Sequence, residues 1–216
     1  MTKKYQNTQI RQKQIIEAVR KLIFKYGSEH VTVRRIAKEV GISEAAIYRH
    51  FTSKRSIFSF LADHIGDVLL AYISEDTDSG IGALDRLNFT LEKQISAVEQ
   101  KRGISFLVIA EIVSLGDKRL NRRVLENIDK YLNKIKALIG EGIRRGEIRP
   151  DIDPETVALT LFGSIQGLVN IWTLSNGGFN LLERYALLWS LHHSVLANDP
   201  SSAAKGSNRP PTDHSH

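Results

Sequence analysis

Residues 32–55, TVRRIAKEVGISEAAIYRHFTSKR, gather basic and hydroxylated side chains at close spacing around a single glycine. Guanidinium groups can bond a guanine edge bidentately, whereas ammonium groups, hydroxyls and helix N-terminal amides hold phosphate oxygens. Arg49 or Arg34 is on that ground the expected base reader. The surrounding charge points the same way. Residues 1–60 hold 13 Lys and Arg against 4 Asp and Glu, a net of +9, and since the whole chain is +6, residues 61–216 carry −3 (6 − 9). A basic head on a mildly acidic body predicts a polyanionic partner.

These side chains need a platform, and the flanking sequence supplies one. Ile15, Ala18, Val19, Leu22 and Tyr26 recur at helical spacing over residues 8–26, and Gly27 stops that helix. Thr32 is placed to cap a second helix with the stripe Val33, Ile36, Ala37 and Val40, which Gly41 ends in a left-handed turn. Ser43 caps a third, SEAAIYRHF, with Ala46, Ile47 and Phe51 inward and Ala45, Tyr48 and Arg49 towards solvent. A helix this short cannot persist alone, so it must lie on the two before it as a helix-turn-helix.

In order and spacing, Gly27, Thr32, Ile36, Ala37, Gly41, Ser43, Ile47, Tyr48, His50, Phe51 and Lys54 resemble the DNA-binding head of the TetR/AcrR family of bacterial transcriptional regulators. Carried over by position, the resemblance implies DNA contacts from Thr32, Arg34, Ser43, Ala45, Tyr48, Arg49, His50 and Lys54. Thr32 and Lys54 would fix the register on phosphates, with Tyr48 and His50 on phosphate too; packing of His50 against the first helix fits equally. Glu44 and Ala45 depart from the family, which commonly has a lysine, arginine or proline and then a glycine. A carboxylate at 44 repels phosphate unless it accepts from a cytosine amino group, and it also favours the helix N-terminus.

The remaining chain reads as further helices, so the expected fold is all-α. A three-helix head over 1–52 precedes a larger helical bundle for ligand binding and dimerisation over 53–198, with a disordered tail over 199–216. Helix 53–73 is shared by head and body. Further helices are expected over about 82–100, 104–115 and 118–145, then over 155–174 and 180–197 around Asn176-Gly177-Gly178. Gly163 and Gly167 lie one turn apart, and the last helix presents Leu181, Tyr185, Leu188, Trp189 and His192. The resemblance implies that these two helices form a homodimer interface, which would set two heads on a palindromic double-stranded operator; packing within one subunit is the alternative.

The resemblance also implies a cavity in the body for a small-molecule effector of unknown identity. His64, Phe106, Glu111, Phe162, Gln166, Asn170 and Trp172 are the candidates to line it, being polar or aromatic residues on otherwise apolar helices. Ordinary core packing accounts for the aromatics as well, and Gln166 or Asn170 could bond across a dimer. Glu111 needs a partner, either a cationic ligand or a neighbouring arginine. With no cysteine, thiolate metal sites and cysteine nucleophiles are excluded; no HExxH, GxSxG or phosphate-loop motif occurs. The expectation is a cytoplasmic transcriptional regulator, a repressor released from DNA by its ligand, without cofactor, metal, membrane or enzymatic activity. A DNA-anchored protein-docking module is the alternative, and an enzyme the remote one.

Overall fold

The computed structural model describes residues 2–74, 80–100 and 104–198, with side chains from residue 8 onward except those of 74 and 104–107. The expected tail and most of the 74–80 loop therefore lie outside the described residues. So do the side chains of Lys3 and Lys4, and that of Phe106.

The described chain is all-α. The head holds α1 (Thr2–Tyr26), α2 (Val33–Val40) and α3 (Glu44–Tyr48); α4 (Lys54–Ser74) leaves it and runs into the body. The body continues with α5 (Ala83–Gln100), α6 (Ile104–Ser114), α7 (Lys118–Arg144), α8 (Pro154–Leu174) and α9 (Leu181–Leu196). Local chemistry sets the ends. Thr32 Oγ1 accepts from Arg35 N at 3.2 Å and Ser43 Oγ from Ala46 N at 3.2 Å, while Asp117, Asp153 and Asn180 cap α7, α8 and α9. Gly41, at φ 76°, closes α2 in the left-handed region that its missing Cβ permits.

Two apolar clusters hold the helices together. The first joins Ile15, Val19, Ile36, Ile47 and Phe51 of the head to Ile57 and Leu61 of α4, Val108 and Ile112 of α6 and Leu120 and Val124 of α7. The core thus runs across residue 52 without a break, so the head is seated on α4 and α6. The second cluster unites the far end of α4 with α5, α7, α8 and α9 around Leu87, Ile95, Ile139 and Val169. Near the end of the described chain, Ile148 and Ala197 form one isolated antiparallel bridge, and Asn198 N donates to Glu147 O at 2.9 Å.

By length and composition α4 and α8 could each cross a membrane. Here α4 packs between head and body, and the inner side of α8 joins the second cluster.

Candidate DNA interface and effector cavity

Ile36, Ala37, Ile47 and Phe51 are buried, and that anchorage turns one face of α2 and α3 outward. Thr32, Arg34, Ser43, Glu44, Ala45, Tyr48 and Arg49 are all exposed on it. Arg35 shares the face but is engaged elsewhere: its Nη1 donates to His30 O at 3.1 Å and its guanidinium stands 5.2 Å from the Tyr26 ring. Tyr26 itself is exposed, not part of the α1 core stripe. His50 is half-buried, and its Nδ1 faces the interior without a hydrogen-bond partner among the described residues. That placement favours the packing role over the phosphate role.

Lys54 is less free than the sequence implies. Its Nζ donates to Ser28 O at 3.3 Å and lies 5.3 Å from the Phe58 ring, and burial pulls its pKa below the ordinary lysine value. It braces α4 against the turn after α1, leaving only its remaining protons for phosphate. Arg55 Nε donates to Asp117 Oδ2 at 2.6 Å, tying the start of α4 to the cap of α7.

Ser28, which the sequence reading passed over, is the hub of this junction. It is buried; its N–H donates to Glu111 Oε2 at 2.9 Å and its hydroxyl to Glu111 O at 3.3 Å. Glu111 therefore holds the head from α6 and is not among the residues lining the cavity described below. Its partner among the described residues is a backbone amide, not an arginine. A serine after Gly27 looks like ordinary turn chemistry, so no local pattern marked it.

Below this junction α4, α5, α6, α7 and α8 line a partly open cavity of about 80 Å³, measured as the space open to the centre of a water-sized sphere. Ala62, Ile65, Gly66 and Leu69 come from α4 and Ile109 from α6; Val124, Asn127, Ile128 and Tyr131 come from α7. Gln94 of α5 and Phe162, Ile165 and Gln166 of α8 complete the wall. Of the sequence candidates, Phe162 and Gln166 line the cavity. His64 is half-buried on α4 but outside the lining, and Asn170 is exposed on the outer side of α8. Trp172 is buried beneath the α8–α9 turn, where its Nε1 donates to Phe179 O at 3.0 Å.

Gln94, Asn127 and Tyr131 were missed as lining residues. Tyr131 Oη donates to Gln94 Oε1 at 2.8 Å, Gln94 Nε2 to Leu69 O at 3.4 Å and Asn127 Nδ2 to Ala62 O at 3.3 Å. Burial drives the Tyr131 phenol well above its ordinary pKa, which keeps it neutral. A signal did exist: Gln94 lies three residues after Leu91 and four before Val98, and Asn127 stands likewise between Val124 and Tyr131, inside apolar stripes.

The final two helices also differ from expectation. Leu181 and Tyr185 are buried within the protomer, Tyr185 Oη bonding Asn88 Oδ1 at 2.9 Å, while Leu188 and Trp189 pack half-buried on the second cluster. A second copy cannot reach the first two. The α9 stripe chosen from periodicity is thus mainly the inward one. The outward face carries Leu187, Leu191 and Val195 beside Leu159, Ile171 and Leu174 of α8, with Leu191 67%, Ile171 62% and Leu174 83% exposed. Gly163 and Gly167 lie open on α8, and a Cβ at either would meet nothing within 4 Å. His192 is half-buried, its Nε2 without a partner among the described residues.

Comparison with known proteins fits this geometry. The family model described as bacterial regulatory proteins, tetR family, matches residues 15–59, and that described as YsiA-like protein, C-terminal region, matches residues 62–196. The nucleoid occlusion factor SlmA of Vibrio atlanticus (strain LGP32) is 26% identical over 183 residues, covering 84% of this chain and 93% of that protein. SlmA of Marinomonas sp. (strain MWYL1) is 26% identical over 189 residues, covering 88% and 94%. Among solved structures, the transcriptional regulator FadR of Bacillus subtilis in complex with stearoyl-CoA superposes with a TM-score of 0.73 at 24% identity, covering 84% of this chain and 97% of that one. NalD, the secondary repressor of the MexAB-OprM multidrug efflux pump in Pseudomonas aeruginosa, superposes with a TM-score of 0.69 at 19% identity, covering 90% and 99%. With its helix-turn-helix head and most of its body matched in turn, the chain belongs to the TetR family of DNA-binding bacterial regulatory proteins.

Proposed function

We propose that the protein is a cytoplasmic transcriptional repressor that binds a palindromic operator as a homodimer and leaves it when a small molecule enters the α4–α8 cavity. The observation that carries this reading is the sharing of helices between cavity and head. The cavity is walled in part by α4 and α6, and these same helices hold Ser28 through Lys54 and Glu111. A ligand that fits one arrangement of α4 and α6 better shifts the population towards it, and the head moves with them. The outward face of α8 and α9 supplies the second copy's contact, with Gly163 and Gly167 permitting close helix approach. Arg49 and Arg34 read bases, and Thr32, Ser43 and Tyr48 hold phosphates beside them. FadR, a neighbour in fold solved with stearoyl-CoA, supports a small-molecule role for a body of this architecture.

Operator and release can be tested together. Bound sequences selected from random DNA should be inverted repeats, and a compound that raises the melting temperature should lower affinity for the selected duplex. Cross-linking the two heads at operator spacing should abolish that release; release that survives the cross-link would refute the route through α4. The name nucleoid occlusion factor, borne by the SlmA relatives, favours a second reading in which the DNA-bound body docks another protein. Under that reading cavity ligands leave DNA affinity unchanged.

A further inference from the structure

We propose that the α4–α8 cavity selects an uncharged, largely apolar molecule with one hydrogen-bonding group, and rejects ionised compounds of the same shape. The proposal rests on reading the cavity as an effector site. Among the described residues its lining includes no Asp, Glu, Lys, Arg or His. An ion moved from water into such a lining without a counter-charge costs several kcal/mol. Asp63 is held by Arg123, whose Nε and Nη2 donate at 2.6 and 3.0 Å, and Asn127 Nδ2 donates to the same carboxylate at 3.1 Å.

The neutral polar groups divide unequally. The Tyr131 hydroxyl is bound to Gln94 at 2.8 Å, and Gln94 and Asn127 each direct an amide N–H at an α4 carbonyl. Gln166 makes no side-chain hydrogen bond among the described residues, although it lines the cavity from α8. Its amide offers both a donor and an acceptor, and one polar group amid apolar walls suffices to orient a ligand. A carbonyl, hydroxyl or secondary amine on the guest would satisfy it.

Two dyes that share a phenylnaphthylamine body differ by one sulfonate, and the Gln166→Arg variant below separates its charge from its bulk. N-phenyl-1-naphthylamine is neutral, and 8-anilino-1-naphthalenesulfonate adds one sulfonate. Fluorescence titration of the full chain should show the neutral dye binding at least about tenfold more tightly, equivalent to about 1.4 kcal/mol. Ile165→Trp, which fills the cavity, should abolish that binding. Gln166→Arg, at a half-buried position, should reverse the preference towards the sulfonate. Three results would each overturn the proposal: no binding of the neutral dye, sulfonate binding as tight and equally lost in Ile165→Trp, or an unchanged preference in Gln166→Arg. DNA release is measured separately. Neutral-dye binding without release would support the charge rule while removing the effector reading; release driven by the sulfonate through the cavity would do the reverse.

Discussion

Replacing Glu111 by alanine removes the carboxylate that α6 offers to the turn between α1 and α2, leaving the Ser28 N–H without its acceptor at 2.9 Å. Ser28 is 1% exposed, so its amide cannot turn to bulk water without opening the turn. A buried donor deprived of a charged acceptor costs about 1–3 kcal/mol, and because Glu111 is itself half-exposed the lower part, about 1–2 kcal/mol, is expected. For a chain of this size that corresponds to a melting temperature lower by about 2–8 °C. Glu111→Gln retains an acceptor oxygen without the charge and should recover about half of the loss. Thermal and urea unfolding of the three proteins measure stability, and fluorescence anisotropy on the selected operator measures DNA binding and its release. If Glu111 transmits cavity occupancy to the head, Glu111→Ala should require more ligand for the same release, while ligand binding stays within about threefold, or 0.7 kcal/mol, of the parent. Unfolding and release curves both superimposable on the parent would refute the assignment of Glu111 as the brace between α6 and the head.

The outward face of α8 and α9 predicts that Ile171→Glu combined with Leu191→Glu yields monomers by sedimentation at concentrations where the parent is dimeric, with helix content unchanged by circular dichroism. Unaltered dimers would place the interface elsewhere. Arg49→Ala should lower discrimination between the selected operator and random duplex by about 1–3 kcal/mol; equal loss on both would make Arg49 a phosphate contact instead. Lys54→Met should reduce stability as well as affinity, because its Nζ holds Ser28 O inside the junction. The Arg55 guanidinium beside Asp117 holds that carboxyl below the ordinary aspartate pKa. A depressed folded pKa contributes stability present above the unfolded value and lost as pH falls through the folded one, here in the range below about pH 4. Asp117→Asn should accordingly flatten the acid limb of the stability profile, and an unchanged limb would show that the pair does not persist in solution.

Much of the head was legible because its determinants are local. Thr32, Gly41 and Ser43 lie within twelve residues and act on amides three residues away or on their own φ, so spacing alone placed α2 and α3. Phe162 and Gln166 could be named because an aromatic and an amide stand out on an apolar helix. Glu111 stood out for the same reason, but its partner lies 83 residues away in a turn. Leu181 and Tyr185 show the limit of periodicity: α9 is apolar on two sides, and a stripe does not say whether it meets its own subunit or another.

By itself the sequence determined that the chain is all-α with a basic helix-turn-helix, since caps, glycine stops and apolar stripes are read over a few turns of one helix. It also determined that Ala45, Tyr48 and Arg49 at the third helix lie towards solvent, because burying Ile47 and Phe51 leaves those positions no other side. Only the tertiary structure decided that Lys54 and Glu111 meet at Ser28, that Gln94, Asn127 and Tyr131 turn into one neutral cavity, and that Leu174 and Leu191 face outward. Each of those depends on which helices pack together and at what rotation. That choice is made by the summed burial of two apolar clusters drawn from distant parts of the chain, and no local spacing records it.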